Sequence, residues 1–125
     1  MLQKGLYEIL TTDATLIALG VDISPMQSDV TKVVPLITYI VEDDYIFSKV
    51  TSDLSKAEAE FMIISDSYIE MNDIAVALIN ALDKYSGTVA GVTIHSIDAV
   101  GADEQRDKTN DLYMKSIIFD CLYQL

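Results

Sequence analysis

His95 and Cys121 are the only histidine and the only cysteine in 125 residues, and both belong to types that do acid–base or nucleophilic chemistry. His95 sits between Thr93 and Ile97 in a stretch that reads as a strand, where an imidazole titrating near neutrality could act as a general base. A lone strand histidine is ordinarily structural. Cys121 shares a strand face with Phe119 and Tyr123, and a small buried hydrophobe is its default role. One cysteine cannot close an intrachain disulfide, and with one histidine it falls short of the usual thiolate and imidazole zinc sets.

Carboxylates gather twice, at Glu42-Asp43-Asp44 and at Asp103, Glu104, Asp107 and Asp111. Oxygen-ligated cations need carboxylates converging from fixed positions, whereas consecutive strand side chains point to alternate sides. The second group also holds Arg106 and Lys108, as a solvated loop would. No nucleophile elbow, phosphate-cradling glycine loop, zincin motif or calcium loop occurs, and the five glycines are scattered. No catalytic, cofactor-binding or metal-ligating residue is assigned, and a non-enzymatic role is expected.

The elements that would position these groups follow from periodicity. Leu2, Leu6, Ile9 and Leu10 recur at helical spacing. Thr12 or Asp13 can cap a second short turn carrying Leu16, Ile17 and Leu19, and Gly20 ends the pattern. Val21 to Ser24 is a brief strand stopped by Pro25, and Met26 to Lys32 is a polar loop. Val34 to Val41, rich in branched and aromatic residues, predicts a strand opened by Pro35.

Ser55 to Ser65 alternates, with Ala57, Ala59, Phe61 and Ile63 on a dry face and Glu58, Glu60, Met62 and Ile64 on a wet one. Ser67 and Glu70 fit a capping box before an apolar stripe of Ile69, Met71, Ile74, Ala75, Leu78, Ile79 and Leu82. A helix of roughly 27 Å is expected from Tyr68 to Tyr85. Ala90 to Ala99 and Leu112 to Leu125 read as closing strands, joined by a polar hairpin loop from Gly101 to Asp111.

The expected architecture is one α+β domain over residues 1–125. An antiparallel or mixed sheet of four to five strands would carry one long helix and short N-terminal helices on one face. Between the second and third strands, Tyr45-Ile46-Phe47 and Val50 interrupt a polar stretch. Such a cluster either folds back on the core or forms an interface with a neighbouring chain.

Composition narrows the partners. Eight Lys and Arg against 20 Asp and Glu leave a net charge of -12, which argues against an autonomous nucleic-acid binder. The mean hydropathy of +0.28 fits a protein with a sizeable core. No secretory leader is read at the N-terminus, and the longest apolar run, Val33 to Val41, is half of what a membrane span needs. A soluble protein made in a cytosol, without a membrane partner, is expected.

Taken in order, these patterns resemble those of the tail-completion, or tail-terminator, proteins of long-tailed bacteriophages. The resemblance rests on Leu2 to Leu10, the Thr11-Thr12-Asp13-Ala14 corner and Leu16 to Leu19, followed by Pro35-Leu36-Ile37-Thr38-Tyr39. It continues in Phe61 to Tyr68, Ile74 to Leu82, Val92 to Asp98 and Tyr113 to Tyr123, with leucine at Leu36 where the family usually has an aromatic residue. It implies a structural virion protein assembled in the bacterial host cytoplasm. Such a protein forms a ring, commonly a hexamer, that caps the tail tube protein, stops tube polymerisation and offers head-tail connector proteins a joining surface. DNA would pass through the ring lumen without specific binding, past carboxylates that keep it from adhering. No catalytic residue or cofactor is carried over. Alternatives are a neck or connector protein of the same particle, or a small cytosolic enzyme or ligand-binding domain using His95 or the acidic groups.

Overall fold

The computed structural model describes residues 2–25, 34–44 and 54–124. Two short helices come first, α1 (Leu2–Thr12) and α2 (Ala14–Ala18), followed by strands β1 (Asp22–Pro25), β2 (Leu36–Asp44) and β3 (Leu54–Ser65). Helix α3 (Tyr68–Leu82) then leads into β4 (Gly87–Val89), β5 (Val92–Asp107) and β6 (Leu112–Gln124). The strands form one sheet in the order β1-β2-β3-β6-β5-β4, with β1 parallel to β2 and every other pair antiparallel. The expected α+β class and mixed sheet are therefore found, with six strands in place of four to five.

The added strand is β4, and its turn explains why the sequence concealed it. Val89 pairs with Val92 across Ala90-Gly91, whose φ angles of 50° and 79° are those of a tight two-residue hairpin turn. Ala90 thus belongs to a turn, where the sequence suggested the start of a strand. Alternation holds along β3, where Ala57, Ala59, Phe61 and Ile63 are all buried. Ile64, expected to be wet, is 4% exposed and stands opposite Leu36, itself buried.

All three helices lie on the dry face, where Leu6, Leu10, Leu16, Met71, Ile74 and Leu78 join the strand side chains in one core. Helix α1 touches β1 near one edge of the sheet and β4 at the other, so the sheet is curled around it. A Cβ at Gly5 would stand 3.3 Å from Val89 Cγ1, which accounts for a glycine inside this helix.

Helix α3 ends at Leu82, one turn before the expected Tyr85, and is about 22 Å long. Competition from the sheet stops it. The Asp83 carboxylate accepts the Ala99 amide at 2.9 Å, and the Lys84 amide donates to the Ile97 carbonyl at 2.7 Å. Lys84 takes a φ of 66° to make that contact. Within the helix, Ile69 is 74% exposed and leaves the predicted stripe, while Met71, Ile74, Ala75, Leu78 and Leu82 are buried. The predicted loop from Gly101 to Asp111 is strand as far as Asp107, with a turn only over residues 108–111. Its polarity reflects an outer strand left uncovered beyond α3.

The start of α3 is capped through a relay. Ser67 Oγ accepts the Glu70 amide, as a capping box requires, but the Glu70 carboxylate accepts instead from Ser65 Oγ at 2.6 Å. Ser65 Oγ in turn accepts the Ser67 amide at 3.1 Å, and Ser65 is fully buried. Ser65→Ala would strand both a carboxylate and an amide, so it is expected to cost about 2 kcal/mol. Ser67→Ala should cost about 1 kcal/mol. Urea unfolding of the two variants checks this order, and an equal or smaller loss for Ser65→Ala contradicts the relay.

Candidate functional site

The residues singled out for chemistry are not brought together. His95 lies exposed at a register irregularity between Ile94 and Ser96, with Nε2 3.3 Å from Gln124 Oε1. Cys121 is 1% exposed on the opposite, dry face, paired across the sheet with Ala57 and Ile97. Burial first, then the nearby Asp120 and Asp98 carboxylates, push its thiol up to about 12. It stays protonated and is a poor nucleophile at neutral pH.

Three of the four carboxylates near the β5–β6 turn, Glu104, Asp107 and Asp111, are engaged in local structure. Glu104 accepts from the Tyr68 hydroxyl at 3.1 Å and pairs with Lys115 at 3.4 Å. Asp111 pairs with Arg106 at 2.7 Å, and the Arg106 guanidinium lies over the Tyr113 ring. Asp107 accepts from the amides of Thr109 and Asn110 and from the Asn110 side chain, which hold its carboxyl below the usual range. Among the described residues, no group of three or more His, Cys, Asp or Glu side chains could hold a metal ion, and no helix is long and apolar enough to cross a membrane. The expected interface residues Tyr45, Ile46, Phe47 and Val50 lie outside the described residues, as does the expected loop from Met26 to Lys32.

What the structure assembles instead is a charged face. With Tyr39, Ala57, Phe61, Ile97, Phe119 and Cys121 turned to the core, alternation turns Glu42, Glu58, Asp98 and Asp120 to the other side. Register then puts them in line: Glu42 opposite Glu58, Glu58 opposite Asp120, and Asp120 opposite Asp98. Four carboxylates cross four adjacent strands, a row about 14 Å long at the usual strand spacing. Like charges directly opposite one another repel. At one end Lys84 Nζ meets Asp98 Oδ1 at 2.7 Å, and Lys56, on the same face two residues before Glu58, lines a shallow pocket with Asp98 and Asp120. The next row contains Ile40, Glu60 and Ile118, with Ile40 exposed, so acid and hydrocarbon lie side by side.

Sequence reading found Glu42 and Glu58 separately but not this row. Each carboxylate sits at an ordinary wet position of its strand, and only the register between strands aligns them. Removing the charge with two acidic neighbours, by Glu58→Gln, should raise the melting temperature by about 2 °C at low salt. The gain should fade as salt screens the row. Thermal unfolding at two ionic strengths checks this, and a lower melting temperature for the variant at low salt contradicts the repulsion.

No family model matches the chain, and no curated protein matches it. The fold nevertheless has a counterpart among solved structures. A chain of the virion of a native gene transfer agent (GTA) particle superposes with a TM-score of 0.80 at 18% identity, covering 99% of this chain and 95% of that one. At that identity the likeness is one of fold.

Proposed function

We propose that this chain is a structural protein of a phage-like virion, acting as a tail terminator. In this reading it forms a ring, the hexamer the resemblance implies, that caps the tail tube. The ring stops polymerisation of the tube protein and presents a surface to the head-tail connector. The observation that supports the reading is the end-to-end likeness in fold to a chain of a virion particle. The dispersal of His95, Cys121 and the acidic groups supports a role without catalysis.

The carboxylate row gives the ring reading a physical consequence. A face that bears Glu42, Glu58, Asp120 and Asp98 in line repels phosphate backbones, which suits a channel wall past which DNA must slide without sticking. The exposed edge of the sheet and the outer face of α3, with Ile69 and Val76 exposed, are then available for contacts within the particle. The ring would reside at the tail or neck of the virion, having assembled in the bacterial cytoplasm.

Native mass measured over a concentration series, with negative-stain images of the same samples and of samples mixed with tail tubes, tests the proposal. Six copies of 13.8 kDa give about 83 kDa, and a ring of that mass, free or on tube ends, is expected. A monomer at every concentration that also ignores tube ends contradicts it.

A further inference from the structure

Near the start of α3, an amine, a carboxamide and a carboxylate from three different elements meet. Lys115 of β6 donates from Nζ to Asn72 Oδ1 of α3 at 3.2 Å and stands 3.4 Å from Glu104 Oε2 of β5. Asn72 and Lys115 are 43 residues apart, so helix packing and strand register bring them together.

Each of the three is held in place. Asn72 Nδ2 donates to the Tyr68 carbonyl one turn back at 3.1 Å, which leaves Oδ1 for the amine. The Tyr68 hydroxyl contacts both Glu104 oxygens, at 3.1 and 3.3 Å. Its ring meets Tyr113, two residues before Lys115 on the same face of β6, edge-on at 5.6 Å. Lys115 is also the least exposed cation of the three described ion pairs, its side chain 20% exposed against 76% for Lys84 and 47% for Arg106.

These are the parts of an acyl transfer. A lysine amine is a nucleophile once it has lost a proton, and a carboxylate in contact with it can take that proton. Holding the reactants at contact distance removes the cost of a bimolecular encounter, which in well-oriented cases corresponds to effective concentrations of about 10⁵ M or more.

We propose that Lys115 and Asn72 join in an isopeptide bond that ties α3 to β6, with Glu104 as the catalytic base and acid. Glu104 takes a proton from the Lys115 ammonium, and the freed Nζ electron pair attacks Asn72 Cγ as the carbonyl pair moves onto Oδ1. Glu104 returns that proton to Nδ2 and accepts a second one from Nζ. The Cγ–Nδ2 bond then breaks as the carbonyl re-forms, and ammonia departs, taking the second proton as ammonium. One amide is made and one ammonium released, Glu104 is ionised again, and no oxidant, reductant or cofactor is consumed. The step is a self-modification with a single turnover, and it does not depend on the ring reading.

Intact-mass spectrometry of the full chain after incubation at mildly alkaline pH, where lysine amines lose protons, tests this. The main species is expected about 17 Da below the sequence mass, one ammonia lighter. Trypsin should then release a branched peptide joining residues 57–84 to residues 109–125, since an acylated Lys115 is no longer a cleavage site. Glu104→Gln keeps the size of the side chain and both reactants, and should slow the bond at least about 100-fold, while Lys115→Arg should abolish it. Full mass, with residues 57–84 and 116–125 recovered as separate peptides, overturns the proposal. So does an equal loss of mass without the branched peptide, which would be succinimide formation at an asparagine. A branched peptide that forms as fast in Glu104→Gln overturns the role given to Glu104.

Discussion

The aromatic contact of Tyr39, Phe61 and Phe119 across β2, β3 and β6 is the constraint on which the rest of this protein depends. Tyr39 stacks on Phe61 at 5.1 Å and Phe61 meets Phe119 edge-on at 5.5 Å, all three buried beneath the helices. Because side chains alternate along a strand, fixing which residues are dry also fixes which are wet. A slip of one residue in this register would drive Glu58 or Asp120 into the core. The same contact that closes the core therefore assembles the carboxylate row on the opposite face. Hydrophobic packing sets the electrostatics, although the acidic side chains repel one another.

In the proposed role, that division of labour leaves function to the surfaces. The dry face is complete among the described residues, with no buried polar side-chain atom left unpartnered. Polar side chains tie the elements together: Asp83 and Lys84 fasten α3 to β5, Ser65 and Glu70 start α3, and Arg106 and Asp107 shape the last turn. Among the described residues, what remains outward includes a charged sheet face, a helix with isolated exposed hydrophobics and a groove.

Much of the fold was legible in the sequence, and what was not has particular causes. Helices α1 and α2 and strand β3 follow directly from local periodicity, and of the two capping candidates, Thr12 and Asp13, the structure uses Asp13. The length of β5 did not follow, because an outer strand uncovered beyond α3 needs no alternation and Asp103, Glu104, Arg106 and Asp107 look like loop residues. The end of α3 was misplaced because Asp83 and Lys84 leave the helix for partners on β5, a tertiary contact without a local signal. The carboxylate row was hidden for a similar reason: four unremarkable wet positions become one feature only through pairing between strands distant in sequence.

The central claim is that the chain is a ring component at the head-proximal end of a tail, with its acidic sheet face toward the DNA channel. Cryo-electron microscopy of the virion that carries it tests this most directly. The account predicts a ring of this fold between tail tube and head, with the outward side chains of β2, β3, β6 and β5 lining the lumen. A particle that lacks the chain, or a ring whose carboxylate row faces away from the channel, would contradict it.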